Sequence, residues 1–470
     1  MVTLGLLVSI ILPVGAGFPW LVGLQRQPQP GNWGIAIGYG YLVGILAICA
    51  GLYLAGYANL PLNLLAAISL PLIIGVLGWA RFGRTVATHL RHDLSAVRRT
   101  RIVLPRATTI VVTIAVALIV ARFSTLAIDT LSRPLFAWEA VSAIAAKARV
   151  WWEFQRLVPF VGPAAMFDSA NAYTSADPRS SALPSLLLVW NALAMGQWHE
   201  GGVGFSWWML GVALAAAFYG HLRKVGCGVA YASVFTYALI SLPLVDVHMS
   251  LSGVSQWPAA VGVGLAGCAL LRALGGNTRD AWICATIAML FALASLASTW
   301  PWLIIFALAA VISAYPRHAN KLAIGAPLAV AIALLAWMQS PVKIAGLSLR
   351  VQLATDWTDA PESLLLLDNW HLLFVILLVV AVAGRRHMLT GPWKARTFVV
   401  AMAVGLMVVK GFLALQPWWL GGLRDFSYAG LQAAPVLMLW LAWLAREVAG
   451  SKSVEPSGEY ESVRESSAKT

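Results

Sequence analysis

Ala107-Thr-Thr-Ile-Val-Val-Thr-Ile-Ala-Val-Ala-Leu-Ile-Val-Ala121, set just behind Arg98-Arg-Thr-Arg101 and Arg106, decides the fold. The apolar run reaches about residue 128. A helix rising 1.5 Å per residue crosses the hydrocarbon core of a bilayer in about 20 residues, so this run is long enough to span. The segment before it carries Arg81, Arg84, Arg91, Arg98, Arg99, Arg101 and Arg106 against a single acid, Asp93. Such a basic flank stays on the cytoplasmic side.

The same pattern repeats along the chain. Apolar runs at about 2–24, 33–56, 58–80, 107–128, 203–222, 226–245, 256–275, 281–298, 300–315, 322–339, 370–384, 397–418 and 430–446 predict about thirteen transmembrane helices. The expected fold class is an all-α polytopic membrane protein. Composition agrees: 60% of residues are hydrophobic and only 11% charged, too few charges to cover a water-facing surface. The net charge of +13 does not indicate nucleic acid, because the Lys and Arg residues sit in short connections between apolar runs. Cys49, Cys227, Cys268 and Cys284 lie inside apolar runs without metal-ligand spacing, and read as small buried hydrophobes.

Alternating the basic connections (81–106, Arg223–Lys224, Arg279, Arg317–Lys321 and Arg385–Arg396) places the N-terminus outside and the C-terminus in the cytoplasm. The first apolar run has no basic leader and no small-residue cleavage site, so it reads as a helix that stays. Residues 1–80 form three N-terminal helices and 81–106 a basic cytoplasmic loop. A membrane core occupies 107–447, and 448–470 form a disordered cytoplasmic tail rich in Ser and Glu. The apolar stretch 183–195 is short for a span and is expected to lie at the outer interface. Two outer segments are then long, 132–202 and 340–370. Long loops in compact proteins tend to be functional.

The first of these opens with Arg133-Pro-Leu-Phe-Ala-Trp-Glu139 and continues through Lys147 and Arg149 to Trp151-Trp-Glu153. It predicts a helix lying flat on the membrane with Trp at headgroup level. Glu139 and Lys147 fit either an acid and a cation serving a phosphate site, or a solvated pair on an interfacial helix. Asp177-Pro-Arg179 reads as a turn leading into 183–195. In the second outer segment, Arg350 and then Lys343 are the candidate cations. Lys410 stands inside an apolar run, where an ionisable residue faces the protein interior, snorkels, or meets a lipid phosphate. His248 and His371 lie near the outer boundary without a two-His spacing, so no metal is expected.

Pro134-Leu-Phe-Ala-Trp138-Glu139-Ala followed by Lys147-Ala-Arg149 resembles the "PL-x-x-WDA … KAK" signature of bacterial GT-C-type glycosyltransferases. Those polytopic enzymes use polyprenyl-phosphate sugars outside the cytoplasmic membrane, and include protein O-mannosyltransferases and the lipid A aminoarabinose transferase. Ala182-Leu-Pro184 through Trp190, Leu242-Pro243 through His248 to Gly253, Asn369-Trp370-His371 and Leu431-Gln432-Ala-Ala-Pro435 are similar to further family segments, in the same order. The departures are Glu139 for the usual Asp, Gly253-Val-Ser-Gln256 for "GYAD", a looser Asp177-Pro-Arg179-Ser for "DYP", and Ser427-Tyr428 for "DR", with Arg424 and Asp425 just upstream.

The resemblance implies a transferase in the bacterial inner membrane with a periplasmic site. Glu139 would be the catalytic base. Lys147, Arg149, Asp177, Arg179, His248, Arg350, Lys410 and Arg424 would serve the substrate and its phosphate. The partners would be a polyprenyl-phosphate sugar, membrane lipids and a glycan, lipid or protein acceptor, with no cofactor. The alternatives are a lipid-linked saccharide transporter or flippase, an O-antigen polymerase or ligase, and a non-catalytic relative.

Overall fold

The computed structural model describes residues 2–25, 27–99, 105–165, 173–274, 279–315, 342–344, 347–353, 370–416 and 425–450. Helices α1 (Val2–Leu24), α2 (Asn32–Tyr57) and α3 (Leu64–Arg99) form the N-terminal part. The first two pack through small residues. A Cβ on Gly17 would overlap the carbonyl of Gly40, so only glycine permits this approach. Helix α3 continues through the basic stretch to Arg99, so residues 81–99 extend a helix where a loop was expected. Nothing in 81–99 breaks a helix: the stretch has no proline, and its only glycine is Gly83.

Helix α4 (Arg106–Ser132) follows, and most of its surface faces away from the protein. A short connection leads through a π-helical turn (Ala140–Ala145) into α5 (Ala146–Phe154). Two residue pairs, β1 (Phe160–Val161) and β2 (Tyr173–Thr174), join in parallel. Helix α6 (Ala182–Met195) covers 14 residues, too short to span, and ends at Gly196 in the left-handed region. It packs on α1, α2 and α5.

Next come α7 (Phe205–Lys224), α8 (Val229–Ile240), α9 (Pro243–Ser250), α10 (Gln256–Ala273), α11 (Arg279–Ser295) and α12 (Trp302–Ala314). Helices α8 and α9 meet at 65°. Pro243 has no N–H to continue the ladder and holds Leu242 in an extended conformation, which breaks the run at that point. Later elements are α13 (Leu373–Ala383), the single turn α14 (Arg385–Met388), α15 (Trp393–Phe412) and α16 (Asp425–Gly450). Helix α10 lies against α11 and α16, and α15 against α16.

Among the described residues, seven helices are long and apolar enough to cross a membrane, or eight if α8 and α9 form one broken span. The expected helices at 256–275, 281–298, 370–384 and 397–418 are present but shorter or less apolar than that standard. The one at 322–339 lies outside the described residues, as does the tail from 451. The run 397–418 does not remain helical throughout. Helix α15 stops at Phe412, and β5 (Leu413–Gln416) pairs antiparallel with β4 (Leu347–Leu353), which also pairs with β3 (Val342–Ile344). Pairing satisfies backbone groups that each segment alone would leave open.

Candidate functional site

Glu139 stands where α4 has ended and the π-helical turn begins. A π-turn inserts one residue into the helical repeat, and such insertions recur at functional sites. Here the turn is held from two sides. Ser185 of α6 donates its hydroxyl to the Ile144 carbonyl at 2.9 Å, and the Ala176 N–H donates to the Ser142 carbonyl at 3.1 Å.

The Glu139 carboxylate is itself clamped. Its Oε1 accepts the Ser255 backbone N–H at 3.1 Å and also the Ser255 hydroxyl. Ser255 closes the turn 251–255 between α9 and α10. Buried Trp207 fixes that turn by donating Nε1–H to the Val254 carbonyl at 2.8 Å. Gly253 adopts φ +89°, and a Cβ there would lie 2.7 Å from the Ala140 Cβ, so glycine is required for the turn to approach Glu139. Burial pushes the Glu139 carboxyl above the usual carboxylate range. The two Ser255 bonds pull it back, and the Asp177 charge pushes it up again.

Lys147, in the first turn of α5, is buried and faces the same neighbourhood. Its Nζ donates to the Pro178 carbonyl at 3.1 Å, the Ser180 carbonyl at 3.3 Å and the Ser180 hydroxyl at 2.6 Å. Burial lowers its amine to about 8, against the pull of Asp177. Asp177 accepts the Arg179 backbone N–H at 3.1 Å on its own Oδ1, the turn chemistry its sequence predicts. Glu139, Lys147, Asp177 and Arg179 therefore share one neighbourhood.

Arg149 is engaged otherwise. It pairs with Glu153 at 2.7 Å and lies over the rings of Trp152 and Trp198 at 5.3 and 5.2 Å. His248 is buried at the packing of α9 against α16. Its Nδ1 bonds the Leu244 carbonyl at 2.8 Å and its ring meets Tyr428 edge-on at 5.7 Å. Lys343 and Arg350 fall in β3 and β4, where Arg350 is in register with Gln416. Arg424 lies outside the described residues.

Lys410 crowns a different feature. It donates to the Ser298 carbonyl at 3.2 Å, just before α12. Seven and eleven residues earlier on the same face of α15, Ala403 and Val399 line an apolar groove with Leu270, Ile305 and Phe306.

Two arrangements were not expected from the sequence. Arg122 of α4 forms an ion pair with Asp246 of α9. Arg122 interrupts an apolar run, and that signal could have marked it. One face of α4 then continues through Asp129 to Arg133, which pair at 2.8 Å. Beside them a shallow crevice opens, bordered by Thr130, Leu135, Ser250 and Ser252. The turn that presents Ser252 to the crevice presents Ser255 to Glu139. Among the described residues no three His, Cys, Asp or Glu side chains gather into a cluster that could hold a metal ion.

The long apolar helices and their packing define a multi-pass helical membrane protein. The chain matches no family model, no curated protein and no solved structure.

Proposed function

We propose that the protein is a membrane glycosyltransferase that moves a sugar from a polyprenyl-phosphate donor to an acceptor hydroxyl at the end of the bundle bearing Glu139. This end would face the periplasm of a bacterium, with the basic end of α3 in the cytoplasm. The observation that carries the reading is Glu139: a largely buried carboxylate at a π-turn, clamped by Ser255 of the turn whose Ser252 lines a small crevice. A raised carboxyl is a stronger base once ionised, which suits removal of a proton from a hydroxyl near neutral pH.

In the proposed step Glu139 takes the acceptor proton as the acceptor oxygen bonds to the anomeric carbon. The bond from that carbon to the phosphate oxygen breaks, and its electron pair leaves with the phosphate. A single displacement inverts the anomeric centre. Cations steady the departing phosphate. Lys410 suits that role from its place above the apolar groove, which would take the lipid chain. Lys147 contributes chiefly by holding the 177–180 turn beside Glu139.

A second reading is a lipid-linked saccharide transporter. The break between α8 and α9 and the Arg122–Asp246 pair favour it, since broken helices with charged groups at membrane depth mark transport paths.

Purified protein in vesicles containing polyprenyl-phosphate sugars decides between them. Release of polyprenyl phosphate, abolished in Glu139→Gln at unchanged protein level, supports transfer. Movement of the intact lipid between leaflets without release supports transport and overturns the transferase.

A further inference from the structure

The crevice beside α4 carries an inference that rests on the transferase reading and extends it. Thr130 is 5% exposed, lines the crevice, and its hydroxyl has no hydrogen-bond partner. A buried hydroxyl left in that state is uncommon and calls for a partner. Ser250 and Ser252 donate their hydroxyls to the carbonyls of Val247 and Gly204, which leaves their oxygen lone pairs able to accept. Asp129 and Arg133 stand side by side at the mouth, Arg133 Nε on Asp129 Oδ1. That bond uses one of the five guanidinium N–H donors and one carboxylate oxygen.

The crevice thus offers donors and acceptors together, and its two charges cancel. A bare anion would gain little there, because the Asp129 carboxylate repels what Arg133 attracts. Hydroxyl groups, each able to donate and accept, match the set. Leu135 supplies an apolar wall for the C–H face of a ring.

We propose that this crevice is a saccharide-recognition subsite, in which Asp129 and Thr130 of α4 and Arg133 just past its end, with Ser250 and Ser252, bind the hydroxyl groups of the transferred sugar and aim it at Glu139. The turn 251–255 links the two, with Ser252 at the crevice and Ser255 on the Glu139 carboxylate. In this proposal the crevice would read the sugar's hydroxyl groups, while the phosphate bonded to its anomeric carbon and the lipid chain would be met by other residues.

The test measures binding on the full-length protein in detergent by native mass spectrometry. The probes are farnesyl phosphate and a panel of farnesyl-phosphate glycosides carrying glucose, mannose, galactose or arabinose. At least one glycoside is expected to bind tenfold or more tightly than farnesyl phosphate. Thr130→Val and Asp129→Asn should each remove most of that preference while farnesyl phosphate binds as before. Glu139→Gln should keep the preference. The subsite is overturned if no glycoside outcompetes the bare phosphate, or if both crevice variants retain the full preference. A preference that survives in a protein without transferase activity would support the subsite and overturn the transfer reading instead.

Discussion

Glu139 and Ser255, 116 residues apart in the chain, are joined by two hydrogen bonds onto one carboxylate oxygen, from the serine N–H and from its hydroxyl. Both stabilise the ionised form. Removing the hydroxyl in Ser255→Ala leaves burial less opposed, so the carboxyl moves higher still. If Glu139 is the base of the proposed transfer it must be ionised to act, so the acid limb of that reaction's rate profile is expected at higher pH in Ser255→Ala. The plateau rate should change little. Ser255→Thr, which keeps the hydroxyl, should restore the wild-type limb. A pH profile of kcat/KM checks this. An unmoved limb would mean that another group controls it.

Gly253 makes the same contact possible from the backbone side. At φ +89° any other L-residue is strained by about 1–2 kcal/mol, and a Cβ would press on Ala140. Gly253→Ala is expected to lower thermal stability by that amount and to reduce activity further, because the shift falls on the turn that clamps Glu139. Gly405, which has open space around it, serves as control: Gly405→Ala should leave both properties near wild type. Thermal unfolding in detergent, with turnover measured alongside, separates the two contributions.

Lys147 gives a prediction in pH. Its amine titrates near 8 in the folded protein against an ordinary 10.5, because burial disfavours the charge. Between those values the unfolded chain holds a proton that the folded chain has released. The Lys147 contribution to stability therefore rises as pH rises through that window. Lys147→Met lacks this rise. It also removes the donor to the half-buried Pro178 and Ser180 carbonyls, at roughly 0.5–1.5 kcal/mol for the lost hydrogen bonding. Faster proteolysis at 173–181 and a flat response between pH 8 and 10.5 are the expected readouts.

The bundle was legible because membrane helices announce themselves through uninterrupted apolar runs, and α1, α2, α4 and α7 fall where those runs predict. Where tertiary pairing decides, the reading ran short. The stretch Leu413–Gln416 is as apolar as the helix before it, and only β4 makes it a strand. Glu139 stood out by its place after a span. Its partner did not, since a serine after Gly253-Val254 has no periodicity to mark it. Lys147 read as a cation for a phosphate or as the solvated partner of Glu139, because its acceptors lie 31 and 33 residues away in an irregular loop.

Arg122 and Asp246 supply the sharpest test of what charges set within the apolar helices do. Each is partly enclosed between α4 and α9, and Arg122 Nε and Asp246 Oδ1 have no hydrogen-bond partner beyond the pair itself. Removing one partner leaves the other charge partly enclosed without its counter-charge, so Arg122→Met and Asp246→Leu should each destabilise the protein, on the order of 1–3 kcal/mol given that the two side chains are 38% and 21% exposed. The double variant removes both charges and should recover much of that loss. If the pair is structural, the double variant also recovers the proposed transferase activity. If it lies on a transport path, stability returns while lipid movement does not, because translocation would use the charges themselves. Thermal midpoints and activity measured on the same four proteins therefore distinguish a brace between two helices from a working part of the membrane pathway.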